Sequence, residues 1–419
     1  MAAAPSGPDR VARHPQGAPF GAPEGAPTVG ARLCAEPYRL YFPLGFLMVW
    51  AGLAPWVLYG AGWASEYRSI FHAMVQVEGF LTSFALGFLF TMYPRRTGTA
   101  PAAPWQIGFG LLAIPAIAVA AFFEHWAVSQ TVWIALNGVV LAFLWQRRRG
   151  ARRPPTAFVW LPLAFVISLA GTVATAFGGI LGGAWWWLHG LGLGLVTQGT
   201  FLALVVGVGT LVVPLMTRGA GPPDHGARPG DGLRRLAHLL AAGALVVTFW
   251  LEVQVSLRLA LLLRGGLVAL LLLFGASLWR LPARPGITRW SIWLAAWCVP
   301  AGYALAALLV DHHKAGLHLT FIGGFGLMVL AVAAQVVLGH GGYERLKNSA
   351  PRRLVAVLLL LLSAVVLRSL MDLDPAHFLR WMVLAAGTFL AGTLAWASLV
   401  LPRLGPAPDP ERRAQRLPG

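Results

Sequence analysis

Read for its apolar and polar positions, the chain is a series of long uncharged runs separated by short polar breaks, not an alternation at period 2 or an amphipathic stripe at period 3.6. Windows of 18 or more residues without charge are the mark of membrane-spanning helices, because in hydrocarbon only internally hydrogen-bonded helices or closed barrels satisfy the backbone. The runs are too continuous for barrel strands. Twelve spans are predicted, at Tyr38–Ala61, Tyr67–Tyr93, Trp105–Phe123, Trp126–Gln146, Ala157–Ile180, Trp185–Met216, Leu233–Leu251, Val255–Trp279, Thr288–Val310, Leu317–Gly339, Arg353–Met371 and Ala376–Leu401. The expected fold is therefore all-α and polytopic. The sixth run is overlong, which predicts tilt or a break near Gly207 or Pro214.

Composition agrees: 57% of the 419 residues are hydrophobic and only 11% charged, too little charge to cover a water-soluble domain of this size. Residues 1–37 are rich in Ala, Pro and Gly and lack an apolar segment that would serve as a signal peptide; they read as a disordered tail, with 38–403 the membrane domain and 404–419 a second tail. With the N-terminus inside, 25 of the 32 lysines and arginines fall on the inner loops and tails, so both termini are expected to be cytoplasmic. That sorting accounts for the net charge of +17 without nucleic acid; the bilayer and its anionic inner leaflet are the expected partners. Cys34 and Cys298 form neither a disulfide framework nor a zinc spacing.

The candidate chemistry is carried by histidine. Leu317–Gly342 bears His318 at one end and His340 at the other, about 33 Å apart and about 40° apart on a regular helix, which places them on one stripe. Such imidazoles suit metal or haem ligation, and the plainer reading is a pair of helix ends at the water interface. His72, His189 and His318 are expected at a common depth in the outer halves of spans two, six and ten, which points to a shared outer site. Met74 adds a soft thioether suited to Cu(I), Gln76 lies a turn beyond His72, and Glu78 is an intramembrane carboxylate that needs a partner, a proton or a metal. Arg264, inside span eight, reads either as a clamp for Glu78 or for an anionic cofactor group, or as a snorkelling side chain. Trp185, Trp186 and Trp187 read as an interfacial belt or a porphyrin wall.

These residues resemble the NnrS family of bacterial inner-membrane proteins. Tyr38-Arg39-Leu40-Tyr41-Phe42 looks like the family's F-R-P-F-F. Phe71-His72, Gly87-Phe88-Leu89-Phe90-Thr91 and Thr97-Gly98 are similar to W-H-x-H-E, G-F-L-L-T and P-x-W-T-G, and Pro214 with Thr217 to R-x-x-P-x-x-T. The closest correspondence is His318 to Gly341, similar to H-x-x-T-x-G-x-x-G-x-M ending in L-G-H-x-G. The chain departs where the family has a second histidine and a glutamate, here Met74 and Val75, and where it has arginines, here Leu211 and Gln335. The resemblance implies haem b and copper as cofactors, His72, His318 and His340 as ligands, and a role in the response to nitric oxide and nitrosative stress. Two alternatives stay open. One is a haem-copper-type redox enzyme acting on nitric oxide or oxygen, against which stands the lack of an H-P-E-V run. The other is a proton-coupled transporter built around Glu78 and Arg264, for which no internal repeat is visible in the sequence.

Overall fold

The computed structural model describes residues 28–405. Among them are twelve helices long and apolar enough to cross a membrane, and no strand. The chain is a multi-pass membrane protein. Of the expected disordered tail, residues 28–36 are described and hold a short helix, Val29–Ala35, capped by the Thr28 hydroxyl; residues 1–27 and 406–419 lie outside the described residues.

The spans fall into three groups of four. The first holds span 1 (Tyr38–Gly60), span 2 (Ser69–Thr97), span 3 (Pro104–Phe122) and span 4 (Trp126–Gln146). The second holds span 5 (Thr156–Leu181), span 6 (Gly183–Arg218), span 7 (Asp231–Gln254) and span 8 (Leu257–Ala276). The third holds span 9 (Ile287–Leu308), span 10 (Val310–His340), span 11 (Glu344–Leu373) and span 12 (Pro375–Arg403). Packing repeats with this period: the first span of each group lies on the second, the third on the fourth, and the fourth on the first span of the next group, so that span 12 closes on span 1. Spans 2, 6 and 10 take the middle. Their most apolar windows are 78%, 83% and 83% buried, against at most 61% for any other span.

Each of these three inner spans changes from α to π geometry one or two turns into the membrane, at Val75–Leu81, Leu195–Gly199 and Leu319–Gly326. A π-turn widens the helix and leaves its carbonyls poorly matched. In two of the three a threonine at the exit repairs this, since the Thr82 hydroxyl donates to Val77 O at 2.8 Å and Thr200 to Leu195 O at 3.2 Å, each five residues back. Span 6 is thus interrupted at Leu195–Gly199 and runs helical through Gly207 and Pro214, contrary to the expected break. The same geometry removes the basis of the 40° stripe in span 10, because a constant rotation per residue no longer links His318 to His340.

Backbones approach closely where the inner spans meet their neighbours. A Cβ on Gly192 of span 6 would fall 2.3 Å from Gly171 O of span 5, and one on Gly316 of span 10 would fall 2.2 Å from Ala306 N of span 9. Small residues at helix crossings are the means by which membrane helices gain packing contacts without a hydrophobic drive between them. Both described chain ends share one face, where the Arg39 guanidinium donates to the carbonyls of Leu404 and, at 2.7 Å, Gly405. This is called the terminal face below, and the other the far face.

Candidate functional site

On the far face a cavity of about 480 Å³ opens among the inner spans 2, 6 and 10 and the ends of spans 1, 11 and 12. Its size falls within the roughly 300–1,000 Å³ usual for small-molecule and cofactor sites. The wall is largely apolar, with Leu53, Phe80, Phe321 and Phe389 among its members, and its polar members include His72, His318, Gln76, Gln198, Arg368 and Lys314.

The two histidines are held alike. His72 Nδ1 lies 3.0 Å from Gly52 O, and His318 Nδ1 lies 2.8 Å from Lys314 O. A carbonyl can only accept, so each Nδ1 carries the proton and the neutral ring keeps a bare lone pair on Nε2. Neither Nε2 has a hydrogen-bond partner among the described residues. The His72 ring stacks on Trp56 at 3.9 Å, and His318 meets Phe321 edge-on at 5.9 Å. An Nδ1–H bonded to a carbonyl with Nε2 free is the arrangement that orients an imidazole for ligation. Met74, buried in the π-helical turn's approach, lines the same cavity.

His189 does not line it. Its Nδ1 bonds to Thr175 O of span 5 at 3.1 Å and its ring stacks on Trp186 at 4.4 Å, among exposed tryptophans. The three histidines do head the three inner spans, but the structure brings only His72 and His318 together. Trp185 and Trp186 are more than half exposed and lie outside the cavity wall, as an interfacial belt would.

His340 lies at the terminal face in a different setting. Its Nδ1 donates to Val336 O at 2.8 Å, and its Nε2 accepts from the Arg95 guanidinium. The lone pair that a metal would use is already taken, and the neighbouring group is a cation. Arg95 also reaches Glu36 at 3.1 Å, Arg39 reaches Glu36 at 2.5 Å, and the Tyr38 ring packs 5.4 Å from His340. Burial alone would raise the Glu36 carboxyl, but the bonds from Arg39 and Arg95 outweigh it and hold the group below its ordinary 4.5.

Arg264 is fully buried, so it does not snorkel, and its carboxylate partner is Glu252 of span 7 at 2.6 Å, not Glu78. Its other nitrogens bond to Thr248 and, at 3.1 Å, to Gln198 Oε1, while its guanidinium stacks 3.5 Å from the Phe249 ring centre. Tyr303 also donates to Gln198 Oε1, at 2.9 Å. The Gln198 carbonyl is therefore saturated from behind, and its amide hydrogens, which have no acceptor among the described residues, are what this cavity-lining side chain offers. Arg264 reaches the cavity only through Gln198. Glu78 is buried outside the cavity wall, with Gln130 Nε2 3.2 Å from each of its oxygens.

Gln198, Tyr303, Glu252 and Arg368 were not singled out from sequence. Arg368 had a visible signal, a charge near the end of span 11; in the structure it is largely buried, pairs with Asp372 at 3.1 Å, and keeps an unpartnered Nε. Among the described residues no three of His, Cys, Asp and Glu are grouped as a metal ion would need. The donor set thus fits haem, which asks for one or two imidazoles and counter-charges for its carboxylates, better than a histidine-caged copper ion.

Twelve spans, with a histidine-lined cavity at the far face among the inner ones, define a polytopic α-helical membrane protein. The chain matches the family model described as NnrS protein over residues 32–406 and belongs to the NnrS family. No curated protein matches it.

Proposed function

We propose that this NnrS-family protein binds haem b in the far-face cavity and acts in the response to nitric oxide in a bacterial inner membrane, with both termini cytoplasmic. The observation that carries the reading is the pair of imidazoles in one apolar cavity, each with Nδ1–H tied to a carbonyl and Nε2 free. His72 and His318 would hold the iron. Bound there, haem would supply an iron centre at which a small gas competes with one of the two imidazoles. The Gly52 and Lys314 carbonyls fix the tautomer and tilt of the two rings, and Trp56 restrains His72 by stacking. Arg368 and the exposed Lys314 place positive charge at the wall where carboxylates would lie. The phenylalanine and leucine wall excludes water. Copper is the alternative occupant of the same two imidazoles, with Met74 of the cavity wall as a soft donor. The orientation rests on the sorting in sequence of 25 of the 32 lysines and arginines to the loops and tails expected inside.

The test is an optical spectrum, a pyridine haemochrome assay and metal analysis of protein purified from haem-replete membranes. Haem is expected in the wild type, and His72→Ala or His318→Ala should lower its content at least about tenfold. Full haem content in both variants, or wild type free of haem and copper, overturns the reading.

Proton-coupled transport draws on one observation, the buried Glu78 carboxyl with only an amide beside it. Proteoliposome flux abolished by Glu78→Gln, in protein that carries no haem, would favour it.

A further inference from the structure

The three seams between the four-helix groups are not closed alike. Where span 12 meets span 1, Trp50 Nε1 bonds to Thr393 Oγ1 at 3.2 Å and Arg39 ties down the Leu404 and Gly405 carbonyls. Where span 8 meets span 9, Arg258 Nε bonds to Ala307 O at 3.2 Å, and Trp293 Nε1 bonds to Leu278 O at 2.9 Å in the connection between them. No hydrogen bond joins span 4 to span 5 among the described residues. In its place lies a groove of about 870 Å³ at the terminal face, bounded by the end of span 4, the start of span 5 and the start of span 7.

The groove has two chemistries. Toward the middle of the bilayer its walls are Leu141, Phe158, Val159 and Val166, with Trp145 at the rim. Toward the terminal face it is edged by Arg148, Arg153, Arg235 and His225, and no acid lines it. The nearby acids are engaged elsewhere: Asp224 with Arg96 at 2.5 Å and Asp231 with Arg234 at 3.1 Å. The arginines are largely unspent. Arg148 stacks on Trp145 and gives one bond, to Trp145 O, whereas Arg153 and Arg235 have no acceptor among the described residues. The His225 Nδ1 is buried and unpartnered as well.

We propose that this seam is an anionic phospholipid site, in which the phosphate is held by Arg148, Arg153 and Arg235 and an acyl chain lies along the span 4 and span 5 wall, where the hydrogen bonds that close the other two seams are lacking. Charge and depth choose the occupant. Guanidinium forks match phosphate oxygens, and their position at the end of the apolar spans is the depth of a headgroup. A free phosphate would leave the apolar wall uncovered, and a zwitterionic lipid brings its own cation to a site that already has three.

The purified chain, washed free of bulk lipid, is incubated with dioleoylphosphatidylglycerol or dioleoylphosphatidylcholine, and retained lipid is counted by native mass spectrometry. The wild type should retain phosphatidylglycerol selectively. The variant R148Q/R153Q/R235Q should retain it roughly a hundredfold less tightly, from about a fivefold contribution per arginine near a charged headgroup. Val166→Trp fills the acyl slot, leaves the arginines in place, and should also lose the lipid; Arg149→Gln, adjacent but outside the groove, should not. Each variant is checked for a monodisperse elution profile and wild-type helix content, and if the triple variant fails that check, R153Q and R235Q singly carry the test with smaller losses. Equal retention of the two lipids, release by inorganic phosphate alone, or undiminished retention in folded arginine variants overturns the proposal.

Discussion

His318 and His340 are on one helix, both with Nδ1 bonded to a backbone carbonyl, and they differ in what faces Nε2. At the far face His318 Nε2 opens on an apolar cavity that His72 shares; at the terminal face His340 Nε2 is capped by Arg95 within a knot of Glu36, Arg39 and Tyr38. Ligation needs an unspent lone pair more than it needs a histidine. The comparison separates a site left open for a ligand from a polar cluster already satisfied by the protein.

The largest effect should come from exchanging the two. His318→Ala is expected to lower haem content at least about tenfold, and His340→Ala to leave it unchanged while loosening the contacts of Arg95. Haem lost from His340→Ala and kept in His318→Ala, read by haemochrome on folded protein, would reverse the assignment. Next is the support behind the cavity. Arg264→Met leaves Glu252 without its donor and the Gln198 carbonyl with Tyr303 alone, and breaking a buried ion pair from one side should cost about 3 kcal/mol, seen as a lowered melting temperature in detergent. A loss at least as large in Glu252→Gln, which leaves the fully buried Arg264 cation without its counter-charge, would confirm that the pair and not the side-chain volume is responsible.

How much of this the sequence carried depends on whether the signal is local. The twelve spans were legible because each is a continuous apolar run of bilayer length, and their observed ends lie within several residues of the expected ones. His72 and His318 stood out because a polar side chain in such a run is conspicuous. The π-turns had no such signal, since they arise from packing among the inner spans, and they alone upset the helical-phase argument for His340. Arg264 was visible but not its partner: Glu252 lies just across the tight turn between spans 7 and 8, nearer in space than Glu78, and choosing between two acids requires the packing. The fourfold period of spans was not read from the sequence, although one paired signal for it is there. Pro94 to Thr97 with Gly98, and Pro214 to Thr217 with Gly219, end spans 2 and 6 alike, each threonine donating four residues back and each glycine left-handed at φ 65° and 83°. Span 10 of the third group ends instead in Gly339-His340-Gly341, so the repeat is plain only in the contacts.

The far-face geometry is sharpened by a smaller change. Gly316 precedes His318 by two residues, and a methyl there would strike backbone atoms of Ala306, which cannot move aside as a flexible side chain would. Gly316→Ala should cost about 2 kcal/mol and lower haem affinity by displacing His318, whereas Gly266→Ala, with nothing in reach of its Cβ, should do neither. Equal melting temperatures for the two variants would show that spans 9 and 10 are not held by this contact.

The terminal-face knot should respond to pH through Glu36. Glu36 is held below its ordinary 4.5 in the folded protein, so it favours folding at pH above that value, and this contribution is lost as pH falls through the lower folded value. Two partly exposed ion pairs are at stake, worth a few tenths to about 1 kcal/mol together. The wild type should therefore lose more thermal stability between pH 6 and about pH 3 than Glu36→Gln does, with most of the difference appearing below about 4.5. Because Arg39 links Glu36 to the Leu404 and Gly405 carbonyls, the loss should be accompanied by faster proteolysis at the chain ends rather than by changes at the far face. Identical pH profiles for the two proteins would mean that Arg95 and Arg39 hold this face through His340 and the backbone carbonyls, with no net contribution from the carboxylate.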